Sequence, residues 1–190
     1  MFQVRIHGRG GQGVVTAAEL LSVAAFLEGK HAQAFPSFGS ERTGSPVVSF
    51  CRIDDKEIRL REPILEPDGL IVQDPTLFKG TDVFQGLKAD GYLLVNTSKS
   101  FDELHVASEA ARLPIGHACV VAASEIALKH IGRAFANAAL LGAFAALTGL
   151  VQLNSVATAI RETFSGKLAD ANVAAATAAH EVIAIARAAA

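Results

Sequence analysis

The stretch Phe2–Leu27, FQVRIHGRGGQGVVTAAELLSVAAFL, decides the fold. From Phe2 to His7 apolar and polar side chains alternate, the period of a half-buried strand. Glycines follow at once, and Val14–Leu27 then runs on Ala, Leu and Val as an apolar helix would. A strand, a tight loop and a helix are predicted, with Gly29 as the helix C-cap. His31–Phe35, ahead of Pro36, is predicted as a second strand, so the first unit reads as βαβ.

Further along, Pro36–Pro46 carries two prolines and two glycines and is predicted as a long loop, the kind that usually has a task. Val47–Ile53 reads as a strong strand, Asp54 and Asp55 as a turn, and Glu57–Leu60 as a returning hairpin partner. Gly69–Gln73 is a buried strand, after which Asp74 and Pro75 should cap and start a helix running through Phe84. Gly91–Val95 is the next strand, and Leu104–Ala107 and Cys119–Ala122 read as short ones with a weak helical piece between them. From Ser124 onward apolar residues fall at helical spacing, punctuated by Gly132, Gly149 and Gly166, with Asn154 or Ser155 as an N-cap. The last helix, Leu168–Ala190, is alanine-rich; helix propensity explains that, and a docking face for another subunit is the alternative. The fold class is therefore α/β: a three-layer, mostly parallel Rossmann-like sheet with an antiparallel hairpin and a helical C-terminal third. It forms one domain over residues 1–190, with no internal repeat.

Composition narrows the function. Net charge is −2 and charged residues make up 19% of the chain, so neither a nucleic-acid surface nor disorder is expected. Every apolar run is broken before the ~20 residues of a membrane span, and the N-terminus lacks a signal-peptide pattern, so a cytoplasmic chain is expected. Cys51 and Cys119 belong to no CxxC pair, which excludes a self-contained iron–sulfur cluster or a four-cysteine zinc site. The six histidines are scattered, and no HExxH or GxSxG occurs, so no catalytic residue and no metal ligand is assigned.

The loop HGRGGQGVV contains GxGxxG at Gly8, Gly10 and Gly13, between a strand and a helix. Glycines let backbone amides approach a pyrophosphate, and the helix dipole adds about half a positive charge there. Arg9 is placed to add a charged contact. The same loop can also serve only as a tight turn. No lysine follows it, so it is not a Walker loop; and the second strand ends in Gln33, Ala34, Phe35 and Pro36 with no acid from there until Glu41, where a nicotinamide site needs one at the end of that strand, about 20 residues on. The residues alone leave three readings: a ligand-holding subunit, an independent flavin or nicotinamide oxidoreductase, and a structural adaptor with an empty loop.

Three segments together carry a resemblance: GRGGQGVVTAAELL (Gly8–Leu21), FPSFGSERTGSPV (Phe35–Val47) and LLGAFAALTGLV (Leu140–Val151). They resemble the gamma subunit of 2-oxoacid:ferredoxin oxidoreductases over nearly the whole chain, and the middle segment is closest to the pyruvate-type and aryl-glyoxylate branches. The resemblance implies a part of an enzyme, inactive alone, that oxidatively decarboxylates a 2-oxoacid such as pyruvate or phenylglyoxylate to an acyl-CoA. Thiamine diphosphate, Mg and [4Fe-4S] clusters would reside on alpha-, beta- and delta-type partner subunits, with ferredoxin or an NAD-linked subunit as acceptor. The gamma chain would dock coenzyme A at Gly8, Arg9, Gly10, Gly11, Gln12 and Gly13. Ser37, Phe38, Gly39, Ser40, Glu41 and Arg42 would face the shared active site, with Arg42 pairing to a phosphate or carboxylate and Glu41 orienting it. Asn96, at the end of the Gly91–Val95 strand, stands where open α/β sheets bind ligands.

Overall fold

The first strand, β1 (Phe2–Arg9), buries Val4 and Ile6 on one face and turns Arg5 and His7 to the other. A computed structural model describes residues 1–37 and 43–188 of the chain. After β1 come α1 (Val14–Leu27), β2 (His31–Pro36), β3 (Pro46–Asp54) and β4 (Gly69–Val72). A 3-10 helix (Pro75–Lys79) leads to β5 (Tyr92–Asn96), α2 (Ala107–Ala110) and β6 (Ala118–Val121). The rest is helical: α3 (Ala123–Ile131), α4 (Asn137–Thr148), α5 (Leu153–Thr163) and α6 (Gly166–Ala188).

The strands form one sheet in the order β2-β3-β1-β4-β5-β6. The pairs β1·β4, β4·β5 and β5·β6 are parallel, while β3 lies antiparallel to both β1 and β2. The predicted parallel sheet with an antiparallel hairpin is therefore present, but the hairpin joins β2 to β3. β3 enters between β1 and β2, so the expected βαβ unit is not made of neighbouring strands. Glu57–Leu60 forms no strand, because both edges of β3 are already taken.

One face of the sheet carries Val4, Ile6, Cys51, Ile53, Ile71, Leu94 and Val121 against α1 and the C-terminal helices, a continuous core centred on α4. α1 ends as the sequence predicts. Gly29 takes φ 77°, its N–H reaches the Phe26 carbonyl, and the Lys30 N–H reaches that of Ala25, a Schellman closure. The N-cap of α5 is Gln152 rather than Asn154 or Ser155; the Gln152 N–H donates to Glu28 Oε1 at 2.6 Å, which ties the helix start to the end of α1.

The opposite face, with Leu70, Val72, Leu93 and Val95, is covered by the 3-10 helix, α2 and coil. The helix expected to run through Phe84 stops at Gly80 as a single 3-10 segment. The predicted strand Leu104–Ala107 is interrupted by His105 at φ 59° and does not form. Covering a sheet with coil leaves carbonyls without partners, and two buried arginines answer that need. Arg5 Nη2 donates to the Val83 and Gln85 carbonyls at 2.8 and 2.6 Å, and Arg52 Nη2 to that of Glu62 at 2.6 Å.

No described helix is long and apolar enough to cross a membrane.

Candidate functional site

The glycine loop joins β1 to α1, and Gly8, Gly11 and Gly13 each need glycine on their own grounds. A Cβ on Gly8 would stand 2.6 Å from Val14 Cγ2. Gly11, at φ 91°, has open space around it, so only its backbone conformation demands glycine. Gly13 is the N-cap of α1 in the left-handed region, φ 74°, and a Cβ there would meet Asn137 Nδ2 at 2.9 Å. Having no side chain, Gly13 cannot cap the helix itself, and the first-turn amides of α1 are left for an outside acceptor. Gly10 is bound from behind: its N–H donates to the Ser45 carbonyl at 2.9 Å, and its own carbonyl accepts from the Gly44 N–H at 3.1 Å.

Arg9 and Gln12 brace this loop. Arg9 Nε pairs with Asp74 Oδ2 at 3.1 Å, Nη2 donates to Thr76 Oγ1 at 2.8 Å, and Nη1 to the Gly44 carbonyl at 3.0 Å. Gln12 Oε1 accepts from the Arg9 N–H at 2.8 Å while Nε2 donates to Asp74 Oδ2 at 2.9 Å. Asp74 is the shared anchor. Burial opposes its charge, but hydrogen bonds from Thr76 and Gln12, together with the Arg9 guanidinium, outweigh that and hold the carboxyl below its usual range. Arg9 thus positions the loop; its guanidinium is engaged with the protein rather than held out toward a ligand.

The loop opens on a cleft of about 560 Å³. Gly11, Gly13 and Thr16 line it together with Arg133, Asn137 and Asn172, and Ile131, Phe135, Phe164 and Leu168 supply its apolar lining. Sequence reading missed every residue contributed by α3 through α6. The available signal was Gly132, which ends α3 in the left-handed region and leaves Arg133–Phe135 as an exposed connection carrying a cation and an aromatic ring.

The other sequence candidates fall in different places. Ser37 is exposed at the end of β2, with its N–H on the Val48 carbonyl at 2.8 Å. Phe38, Gly39, Ser40, Glu41 and Arg42 lie outside the described residues. Asn96 is buried at the end of β5 and fully engaged: Nδ2 donates to the Gln73 carbonyl and Ser124 Oγ, and Oδ1 accepts from the Ser124 N–H. It ties β4, β5 and α3 together under a second crevice, of about 300 Å³, on the other side of Gln12.

Cys51 is buried on β3 and its thiol is pushed up by burial, while Cys119 lies on β6 at the far edge of the sheet. Among the described residues no group of His, Cys, Asp and Glu side chains gathers as a metal centre would require. His7, 5% exposed on β1, has no partner for Nε2 among the described residues. Burial, and then the charge of Arg5, drive its pKa down to about 3.

A mixed α/β sheet with a glycine loop at its first strand-to-helix turn and a cleft walled by its C-terminal helices defines a Rossmann-like chain with no catalytic constellation among the described residues. Residues 3–182 match the family of pyruvate ferredoxin/flavodoxin oxidoreductase. The chain belongs to that family, as a gamma subunit of a multisubunit 2-oxoacid:ferredoxin oxidoreductase. It is 52% identical over 181 residues to the pyruvate/ketoisovalerate oxidoreductases common subunit gamma of Pyrococcus abyssi, covering 95% of this chain and 96% of the relative. It is 48% identical to pyruvate synthase subunit PorC of Methanothermobacter marburgensis, covering 95% and 97%. The crystal structure of the pyruvate oxidoreductase subunit PORC of Thermotoga maritima superposes with a TM-score of 0.80 at 37% identity, covering 95% of each chain.

Proposed function

We propose that this chain docks coenzyme A for its complex, with the pyrophosphate at the N-terminus of α1. One observation carries the reading: the uncapped first turn of α1 opens directly onto a cleft that offers a cation, Arg133, and an apolar wall. That pairing suits a molecule that is anionic at one end and carries a flexible, largely uncharged arm. Gly11, Gly13 and Thr16 would receive phosphate oxygens, Arg133 would neutralise them, and Phe135, Phe164 and Leu168 would shield the arm from water.

The residues present do not fit an iron–sulfur cluster, since the two cysteines stand on different strands of the sheet. Thiamine diphosphate with Mg, and [4Fe-4S] clusters, belong in this reading on alpha-, beta- and delta-type subunits, where the thiamine supplies the decarboxylation of the 2-oxoacid. Ferredoxin or an NAD-linked subunit takes the electrons, and the assembly works in the cytoplasm. The substrate is a 2-oxoacid of the pyruvate or phenylglyoxylate kind. The Pyrococcus abyssi relative is named as common to pyruvate and ketoisovalerate enzymes, which supports substrate choice residing outside a gamma chain. The loop Ser37–Arg42 completes the reading as the segment turned toward the shared active site.

The test is Gly11→Val in the assembled enzyme. Gly11 is exposed and unencumbered, so a side chain there acts at the loop and through its positive φ. The Michaelis constant for coenzyme A should rise about tenfold or more while that for the 2-oxoacid holds, a loss on the scale of a charged hydrogen bond. An unaltered constant for coenzyme A would refute the assignment.

A further inference from the structure

Asn172 stands on α6, one turn after Leu168, and is 3% exposed. The other buried residues of that helix are Ala169, Ala175, Ala176, Ala179 and Ile183, so Asn172 is the polar exception on an apolar face. Asparagine is a poorer helix former than alanine, and burying its amide costs more again unless both of its ends are paired. Packing against the neighbouring helices alone asks for alanine there.

Only half of the amide is used within the chain. Nδ2 donates to the Leu168 carbonyl at 2.8 Å, and because a carbonyl can only accept, that contact fixes which end of the amide is which. Oδ1 is the other end, and it has no hydrogen-bond partner among the described residues. Unlike the amide of Gln73, which is sealed from solvent, this oxygen is reachable, and Asn172 lines the cleft in front of the α1 N-terminus. A free acceptor is thus presented to the cleft on a residue that is otherwise buried.

The surroundings select what it can accept from. A phosphate or carboxylate would repel Oδ1. A cation would be opposed by Arg133 and by the uncapped N-terminus of α1, which share the cleft. A neutral N–H or O–H is left, and Leu168 and Phe164 make the lining near it apolar, where an unpaired donor is costly. Asn137, the other buried amide of the cleft, is less selective, because it stands against Gly13 and can donate to the anionic end of a ligand.

We infer that Asn172 is a specificity-determining residue whose Oδ1 accepts an amide N–H from the arm of the docked carrier. The inference rests on the reading above that coenzyme A docks in this cleft, and adds how its arm, rather than its anionic end, is recognised.

The experiment is calorimetric titration of the full chain with four ligands. They are coenzyme A, two analogues in which one or the other amide of the arm is replaced by an ester, and ADP, which has the pyrophosphate but no arm. An ester keeps the carbonyl and the length of the arm, but it loses the N–H and sets an oxygen against Oδ1. One of the two esters should bind roughly tenfold more weakly than coenzyme A, the scale of leaving a buried acceptor unpaired. Asn172→Ala, which puts at this position the residue that fills most of the same face, should erase that difference and leave ADP binding unchanged. Equal binding of coenzyme A and both esters by the unaltered chain overturns the inference and leaves the docking reading standing. So does an ester penalty that persists in Asn172→Ala, or a loss in that variant shared equally by ADP. Failure of coenzyme A to bind overturns the docking reading and this inference with it. If Asn172→Ala does not fold, Asn172→Asp, which keeps an acceptor, should retain the ester difference, and its disappearance there overturns the inference.

Discussion

Gly142 on α4 presses its bare Cα against the backbone carbonyl of Ala176 on α6, leaving no room for a Cβ between the two helices. Ala175, Ala176 and Ala179 are fully buried on the same helix, so its alanine richness serves close approach to α4 as well as helix propensity.

Gly142→Ala therefore overpacks a contact in which the obstructing atom is main chain. Overpacking of this kind costs about 1–3 kcal/mol, and in a chain of this size each kcal/mol is worth about 2–4 °C in Tm. A thermal melt should fall by roughly 5–10 °C. Adding Ala176→Gly should not restore it, because the carbonyl stays where it was. Recovery in that double variant would mean that side-chain crowding, and not the backbone, sets the helix spacing.

Buried His7 predisposes the fold to acid. Its pKa of about 3 in the folded chain lies below the usual 6.5, so the unfolded state binds the proton first. Above pH 6.5 the group contributes no pH dependence; as pH falls from there toward 3, stability is lost at up to about 1.4 kcal/mol per unit. Between pH 7.5 and 5.0 that amounts to about 2 kcal/mol. Urea denaturation at the two pH values should give a markedly smaller difference for His7→Gln than for the parent, whatever the variant's stability at neutral pH. Parallel pH profiles would place the acid sensitivity elsewhere.

The anchor of the glycine loop is open to a conservative change. Asp74→Asn keeps an oxygen to cap Thr76 but can turn an amide NH₂ toward Arg9 Nε and Gln12 Nε2, both of which are donors. Arg9 then loses its ion pair and slackens its hold on Gly44. The Michaelis constant for coenzyme A in the assembled enzyme should rise several-fold with a smaller change in kcat, while stability falls by about 1 kcal/mol, the usual value of one lost hydrogen bond. A fall in kcat with an unchanged constant for coenzyme A would place the effect of Asp74 beyond the loop.

What the sequence made legible was local. The alternation of Phe2–His7, the glycines and the unbroken apolar run of Val14–Leu27 all act within one turn or one pleat, and α1 forms between the predicted bounds. Gly132 and Gly149 likewise end helices in the left-handed conformation. What stayed hidden was set by long-range pairing. Nothing in Val47–Ile53 says that it will slide between β1 and β2, since an antiparallel and a parallel neighbour ask the same residues of a buried strand. Glu57–Leu60 has strand-like residues but no free edge of β3 to join. The site divides in the same way: the glycine loop is contiguous and readable, whereas Arg133 and Asn137 meet it only through the packing of α4 over α1.

Arg133 is the sharpest test of that long-range half of the site. It is exposed on the α3–α4 connection, so its removal should leave the melting temperature nearly unchanged. If it faces phosphates held at α1, Arg133→Gln removes a charge from a partly screened pair, and coenzyme A should bind about tenfold more weakly at low salt. The gap should narrow as ionic strength rises and the Debye length contracts below about 10 Å. Pantetheine, which has the same arm without the phosphates, should bind parent and variant alike. A loss shared equally by pantetheine and coenzyme A, and indifferent to salt, would mean that Arg133 packs against the arm through its aliphatic stem and that the anionic end of the ligand lies elsewhere in the cleft.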